Sequence, residues 1–194
     1  MERRAFLAGA GLTGLAATAG CVVGGQPLVG TVDLDDPERG SDGHATYLTY
    51  SRDGEELLTV ALADRGWGPD GRLNVRLSVW HREDTHLDSV RFELHLLTDP
   101  EDLAPAVYLE RMGGRPWPEV TFERGQDPGT TVLAADPLGE QGDGTVLFNL
   151  EVEPHEEPDS LPIELSFEAV LSGGGIGTYR ATDRLERTVR RDNT

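Results

Sequence analysis

The sequence predicts an all-β fold, an antiparallel two-sheet sandwich of the immunoglobulin-like kind with roughly eight to ten strands. Three observations favour it. Apolar residues recur at every second position, Asp-Gly and Gly-rich turns separate the apolar segments, and no segment after the first twenty residues has a convincing helical period. Strands with one apolar and one polar face bury the apolar face between two sheets. A closed β-barrel is the alternative architecture.

Four segments alternate most strongly. In residues 73–79, for example, Leu73, Val75 and Leu77 alternate with Asn74 and Arg76, which places the apolar side chains on one face of a strand. Residues 90–96, 146–153 and 163–169 follow the same pattern. Weaker strands are predicted at residues 45–50, 57–62, 106–111, 119–123, 130–134 and 178–189, the last with a bulge near Asp183.

Turn-forming residues lie between these segments. Asp53-Gly54 is a short-hairpin signal between the first two weaker strands, and the glycines of residues 173–177 predict a flexible hairpin between the last two strands. Residues 80–88 are predicted to form a solvated hairpin loop between two of the strongest strands.

The pattern divides the chain into three parts. Residues 1–20 are predicted to be an export signal, residues 21–43 a lipid-anchored flexible tether, and residues 44–194 a single β-sandwich domain. The tether assignment rests on composition, because residues 22–43 hold five Gly, two Pro and an acidic run. Within it, residues 28–34 have some β preference and predict one short strand.

The first residues have the parts of an export signal: a positive start, an uncharged apolar stretch and small residues before a cleavage point. Arg3 and Arg4, followed by Phe6 and Leu7, resemble the twin-arginine motif. The Thr-Ala-Gly sequence that ends at Cys21 resembles a lipobox, as in haloarchaeal exported lipoproteins. This resemblance implies that Cys21 is lipidated after cleavage and holds the chain at the outer face of the cytoplasmic membrane.

Two positions differ from the usual motifs, with Glu2 in the place of Ser or Thr and Thr18 in the place of Leu. The alternative to a cleaved signal is an uncleaved membrane helix. It ranks behind because a span needs about 20 apolar residues, and this stretch, rich in Gly and Ala, is shorter.

Charge is the second strong signal, since 35 Asp and Glu stand against 17 basic residues, all of them Arg, for a net charge of -18. This pattern indicates a halophilic protein, because molar salt shortens the Debye length to about 3 Å and removes most self-repulsion. Nucleic-acid binding is disfavoured, since neutralising phosphates needs a basic patch. A cationic partner is an alternative, although the acids are spread along the chain.

Cys21 is the only cysteine. With that residue committed to lipid, the domain has no thiol for a disulfide, a Cys-ligated metal, an iron–sulfur cluster, a covalent haem or a nucleophile. No cofactor is therefore predicted.

Two groups of residues have side chains of the types that bind metals. His81 and His86 flank Glu83 and Asp84, and such a loop supplies ligand types for Zn²⁺ or Cu²⁺. Their spacing matches no established pattern, so a solvated loop is preferred and no metal site is predicted. The acids between residues 151 and 159 are interpreted as surface residues with a salt-displaceable shell of cations.

Trp67 and Trp117 are the candidate binding residues. Trp67 lies in the segment Arg-Gly-Trp-Gly-Pro and Trp117 between two prolines, so both are expected in loops. A loop aromatic either covers the edge of the core or forms part of a binding surface. Binding gains support if both loops lie at one end of the sandwich.

Catalytic motifs do not occur: there is no Gly-x-Ser-x-Gly elbow, no His-Glu-x-x-His and no Walker-type loop. The sequence therefore favours a non-catalytic binding or interaction module of the cell envelope, whose ligand is an envelope protein or a small molecule. A structural or accessory subunit of an envelope complex is the alternative. A metal-dependent hydrolase is less favoured and requires His81, His86 and nearby acids to converge in one pocket.

Dialysis of the purified protein from molar to millimolar salt is expected to unfold it partly and to lower its melting temperature, because unscreened repulsion among the acids then opposes compact packing. Far-UV circular dichroism and the melting temperature at both salt concentrations measure the effect. Identical spectra and melting temperatures would contradict the halophilic interpretation.

Overall fold

The structure, a computed structural model, describes residues 30–97, 104–112, 119–127, 129–155, 158–173 and 177–191. The predicted export signal at residues 1–20, the predicted lipid attachment site at Cys21 and the candidate Trp117 lie outside the described residues.

Twelve strands form in the described residues, together with a short 3-10 helix at Gly139–Gly142. No helix in this part of the chain has the length and apolar character needed to span a membrane. In chain order the strands are β1 Thr31–Leu34, β2 Glu38–Ser41, β3 Ala45–Arg52, β4 Glu55–Trp67, β5 Leu73–His81, β6 Thr85–Leu96, β7 Ala106–Met112, β8 Val120–Arg124, β9 Thr130–Ala135, β10 Val146–Glu153, β11 Ser160–Gly173 and β12 Thr178–Arg190.

The strands make two sheets of six. The first sheet has the order β1-β12-β11-β6-β9-β8, and the second has the order β2-β3-β4-β5-β10-β7. Neighbouring strands are antiparallel except β1, which runs parallel to β12. The sheets pack face to face over one apolar core and do not close on each other. The predicted sandwich is confirmed, and the barrel alternative is wrong.

Four strands interlock the two sheets. β5 and β10 are neighbours in the second sheet, and β6 and β11 are neighbours in the first. The chain crosses between the sheets from β5 to β6 and again from β10 to β11. Strands B, C, E and F of immunoglobulin-like sandwiches have the same relation, and β12 follows β11 as strand G follows F. The immunoglobulin-like architecture is therefore confirmed.

All ten strands predicted from residue 45 onward are present, as β3 to β12. The alternation has the predicted effect, since β5 buries every second residue from Leu73 to Val79. The hairpin between β3 and β4 turns at Asp53 and Gly54, whose φ angles of 55° and 83° are the positive pair of a type I′ turn. β11 and β12 also pair as the predicted hairpin.

Three predictions are wrong. The segment predicted as a tether, residues 21–43, is folded from Thr31, because β1 pairs with β12 and β2 pairs with β3; the domain begins before His44. Within that segment, β1 is the short strand predicted in residues 28–34. No bulge interrupts β12 near Asp183, since its register with β11 is continuous. β5 and β6 are not a hairpin, because they belong to different sheets and residues 82–84 cross between them.

Aromatic contacts join the sheets through the core. Tyr50 of β3 meets Phe167 of β11 with 6.5 Å between ring centroids, and Phe92 of β6 meets Phe148 of β10 at 5.7 Å, both edge to face. Burial raises the pKa of the Tyr50 phenol, and the nearby Asp183 carboxylate raises it further. The Tyr50 hydroxyl donates to that carboxylate at 3.4 Å.

An almost buried ion pair also joins the sheets. Asp64 of β4 and Arg187 of β12 have side chains 16% and 10% exposed, and Arg187 Nε donates to Asp64 Oδ2 at 2.6 Å. Arg187 Nη2 also donates to the Gly43 carbonyl at 2.8 Å. Because the two charges compensate each other across the sheets, the pair fixes β4 against β12.

Arg187→Met is expected to lower the free energy of unfolding by about 3 kcal/mol, because it leaves the Asp64 carboxylate largely buried without its cation. An Asp64→Leu/Arg187→Met double variant is expected to lose less, since no lone charge is left behind. Denaturant unfolding at constant salt measures both.

The matched control is Arg184→Met on the same strand, where the Arg184 side chain is 55% exposed beside Glu164. It should cost under about 1 kcal/mol. Equal losses for Arg187→Met and Arg184→Met would contradict the structural role of the buried pair.

Candidate functional site

A bulge near the end of β4 shapes the surface of the second sheet. Asp64 lies opposite Val75 of β5, whereas Trp67 lies opposite Leu73, so β4 accommodates one extra residue between them. Gly66 adopts a φ of 85° at this point. A β-bulge bends its strand and changes the direction of the side chains around it.

A groove of about 830 Å³ opens beside this bulge. A smaller depression of about 400 Å³ shares Arg65 and Arg76 with it and extends over the second sheet to Glu110 and Asn149. The groove is lined by residues from the start of β3, the end of β4, the middle of β5 and the end of β12: His44, Ala63, Asp64, Arg65, Gly66, Trp67, Gly68, Arg76, Arg190 and Arg191.

Trp67 has two roles in this site. Its indole ring packs against the apolar core, and the guanidinium carbon of Arg191 lies 5.3 Å from the ring centroid. The indole Nε1 is buried and has no hydrogen-bond partner among the described residues. Trp67 is the last residue of β4 and not a loop residue as predicted. It covers the edge of the core and also lines the groove.

Asn149 orients one arginine of the groove, and Asp64 is engaged by an arginine outside it. Arg76 Nε donates to the Asn149 side-chain oxygen at 2.9 Å. Asp64 lines the groove, but its carboxylate is bound by Arg187 from the other sheet. The Asp64 backbone N–H donates to the His44 carbonyl at 3.0 Å, which closes the groove on the β3 side.

The two candidate histidines do not converge. His81 is 3% exposed, and its Nδ1 lies 3.0 Å from Thr85 Oγ1 inside the sandwich. His86 lies nearer the surface, where its Nδ1 is 2.7 Å from Asp143 Oδ1. The described residues contain no group of three or more His, Cys, Asp or Glu arranged to hold a metal ion. The geometry required for the hydrolase alternative is absent from this part of the chain.

A serine and a histidine that lie side by side in the described first sheet are not joined by a hydrogen bond. Ser172 lies opposite His86 in the pairing of β11 with β6. Its hydroxyl donates to Asp88 Oδ1 at 2.8 Å. A serine nucleophile needs a hydrogen bond to its base, and the Ser172 hydroxyl binds the half-buried Asp88 carboxylate, while His86 is bound to Asp143.

The crossing between β5 and β6 is held by ion pairs. Arg82 Nη2 donates to Asp84 Oδ2 at 2.9 Å, and Arg82 Nη1 donates to Glu55 at 3.2 Å. The hydrogen bond from Arg82 lowers the pKa of the Asp84 carboxyl. These charges stabilise a short connection between the sheets.

The acids of β10 are surface residues, as interpreted from the sequence. Arg72 donates to Glu151 at 3.0 Å and to Glu153 at 3.2 Å, and its guanidinium carbon lies 4.6 Å from the Tyr108 ring centroid. These two carboxylates therefore share one arginine at the sheet surface.

Residues 31–192 match the model of one protein family, described as Domain of unknown function (DUF8121). The chain belongs to this family. The matched range starts at the first residue of β1, so the DUF8121 domain includes both short strands of the segment predicted as a tether. No curated protein matches the sequence.

Several solved structures are similar to the DUF8121 domain at low identity. A cohesin module from a Clostridium perfringens family 33 glycoside hydrolase has a TM-score of 0.44 and 14% identity, covering 70% of this chain and 95% of that one. The collagen-binding domain of a Staphylococcus aureus adhesin has a TM-score of 0.38 and 12% identity, and the match covers 67% of this chain and 95% of that one. AvmM, which catalyses macrocyclization in alchivemycin A biosynthesis, has a TM-score of 0.41 and 10% identity, and the match covers 75% of this chain and 93% of that one. No functional conclusion is drawn at these TM-scores.

Sequence reasoning singled out Trp67 but missed the arginines around it. Arg65, Arg76 and Arg190 come from β4, β5 and β12, and only the fold of the DUF8121 domain brings them together. The available signal was Gly66, because an isolated glycine within a strand pattern indicates a bulge.

Gly66→Ala is expected to lower the free energy of unfolding by about 1–2 kcal/mol, because a side chain is strained at a left-handed φ. An added Cβ at Gly66 meets no atom within 4 Å, so steric overlap does not contribute. Denaturant unfolding measures the loss.

Gly43→Ala is the control, since a Cβ there also meets nothing within 4 Å and its φ is not left-handed. Equal stabilities of the two alanine variants would contradict the view that Gly66 sets the bulge.

Proposed function

We propose that the protein is a lipid-anchored, extracytoplasmic lipoprotein that acts as a non-catalytic binding module of the cell envelope. The groove beside the β4 bulge is its ligand site. The observation that carries this proposal is the position of the groove, at the end of the sandwich opposite the point where the N-terminal segment enters.

The register of β1 defines that entry point. Thr31 begins β1 and lies opposite Thr178, the first residue of β12, and the two strands run parallel. Arg190, the last residue of β12, lines the groove. The strand rises about 3.3 Å per residue, so the two ends of β12 are roughly 40 Å apart.

The N-terminal sequence supports anchoring at the entry end. The segment from Cys21 to Thr31 spans at most about 35 Å when extended. A lipid on Cys21 would therefore keep the entry end near the outer face of the cytoplasmic membrane and leave the groove on the far side. The net charge of -18 provides no electrostatic attraction between the domain and an anionic membrane surface, so retention depends on the lipid.

The arrangement of polar residues favours binding over catalysis. The groove combines an aromatic side chain with several hydrogen-bond donors, which is the composition of a ligand site. The histidines considered for catalysis have separate partners, since His81 is buried beside Thr85 and the partly exposed His86 binds Asp143.

Cys21→Ser is expected to move the protein from the membrane fraction to the medium in its own host, because its lipid is then lost. Replacing both Arg3 and Arg4 by Lys should retain the precursor in the cytoplasm. Cell fractionation and mass spectrometry of the N-terminus measure both. An unmodified Cys21 thiol on an intact, cytosolic wild-type chain would contradict the proposal.

The ligand site is tested by a photo-reactive amino acid placed at residue 44 of the full chain in its native envelope at high salt, because the exposed His44 lines the groove beside its arginines. Crosslinking is expected there and not from residue 168 on the outer face of the first sheet, where Glu168 is exposed. Crosslinking only from residue 122, where Phe122 is 38% exposed on the edge strand β8, would favour the accessory-subunit alternative instead.

A further inference from the structure

The groove differs in charge from the rest of the protein. Acidic residues outnumber basic ones 35 to 17 along the chain, yet the described residues that line the groove include four arginines and one acid. That acid, Asp64, is neutralised by Arg187. The groove is therefore locally cationic within an anionic domain.

Three of the four groove arginines, Arg65, Arg76 and Arg190, have no carboxylate within 4.0 Å among the described residues. By contrast, most of the other arginines in the described chain do have a carboxylate within 4.0 Å. Those with a carboxylate partner are Arg39, Arg52, Arg72, Arg82, Arg91, Arg184 and Arg187.

The surroundings of these three arginines leave guanidinium N–H donors for a ligand. Arg76 uses Nε to donate to Asn149, so its two terminal amino groups remain for other acceptors. Arg65 lies in the bulge and Arg190 at the end of β12, and both are exposed. The Asn149 contact orients Arg76 before any ligand arrives, which reduces the ordering cost of binding.

Guanidinium groups gathered in one groove repel each other until an anion compensates them. Carboxylate, phosphate and sulfate accept paired hydrogen bonds from a planar guanidinium, which gives direction as well as charge. At molar salt the Debye length is about 3 Å, so long-range attraction is screened and these direct contacts decide binding. Several arginines that contact one anion directly can therefore bind it even at molar salt.

We infer that the groove binds its ligand through an anionic group, a carboxylate, phosphate or sulfate, held by Arg65, Arg76 and Arg190. The inference rests on the proposed function, because it names the chemistry of the ligand in the same groove. Trp67 supplies an apolar wall beside the charges for the carbon skeleton that carries the anion.

An NMR titration of the full chain in molar KCl tests this inference with inorganic phosphate, sulfate and D-glucuronate in separate samples. D-glucose is the neutral control. The chain has three tryptophans, so the Trp67 indole N–H signal is assigned with Trp67→Phe. At least one anion should shift this signal saturably without a comparable shift for Trp80. The anion with the lowest Kd identifies the class.

Arg76→Gln and Arg190→Gln are each expected to weaken that binding about tenfold or more, because each removes a charged hydrogen-bond donor. Arg184→Gln makes the same charge change on β12 outside the groove and should leave the Kd unchanged. Because Arg190 is exposed, its variant tests the inference without disturbing the fold.

The inference is overturned if no anion shifts the Trp67 signal saturably, if glucose binds as tightly as the anions, or if Arg184→Gln weakens binding as much as Arg190→Gln. Any of these outcomes combined with crosslinking from residue 44 rejects the anionic ligand and keeps the proposed binding groove. The same outcome without crosslinking rejects the proposed function as well.

Discussion

Two sheets share one apolar layer, and every strand that covers it must alternate inner apolar with outer polar residues. β5, β6, β10 and β11 keep this alternation along nearly their whole length and carry the crossings between the sheets. β4 keeps it only as far as Leu62. Beyond that point the extra residue of the bulge interrupts the alternation of inner and outer side chains at Arg65 and Trp67. The groove lies beside this interruption. The exception to the packing constraint therefore positions the candidate site.

The end of the sandwich that holds the groove is also where the sheets are joined by charge. Asp64 and Arg187 connect β4 to β12 beside the bulge, and the same arginine binds the backbone at Gly43. The groove wall is thus fixed from both sheets and from the segment before β3. At the opposite end, β1 enters against the start of β12. The strand β12 runs from the entry point of the N-terminal segment to Arg190 in the groove. The groove therefore lies at the end of the domain that is farther from the proposed anchor.

The fold was largely predictable because its information is local. Residues 73–79 and 163–169 each contain their own alternation, and Asp53-Gly54 specifies its own turn. β1 was indicated by the β preference of residues 28–34, whereas β2 was missed. Both strands are four residues long, rich in polar residues and stabilised by pairing with β12 or β3. The crossing at residues 82–84 reads as a hairpin loop, since a turn of that length does not encode which sheet receives the next strand. The groove was only partly predictable: Trp67 stood out, whereas Arg65, Arg76 and Arg190 meet only after folding.

Hydrogen–deuterium exchange of the protein in its native envelope, compared with the purified full chain at the same salt, tests most directly that the groove is where the domain meets its ligand. The account predicts slower exchange in the envelope for the backbone amides of residues 64–68 and 190–191, which border the groove. Slower exchange confined to the edge strands β8 or β7, with unchanged exchange around Trp67, would contradict it.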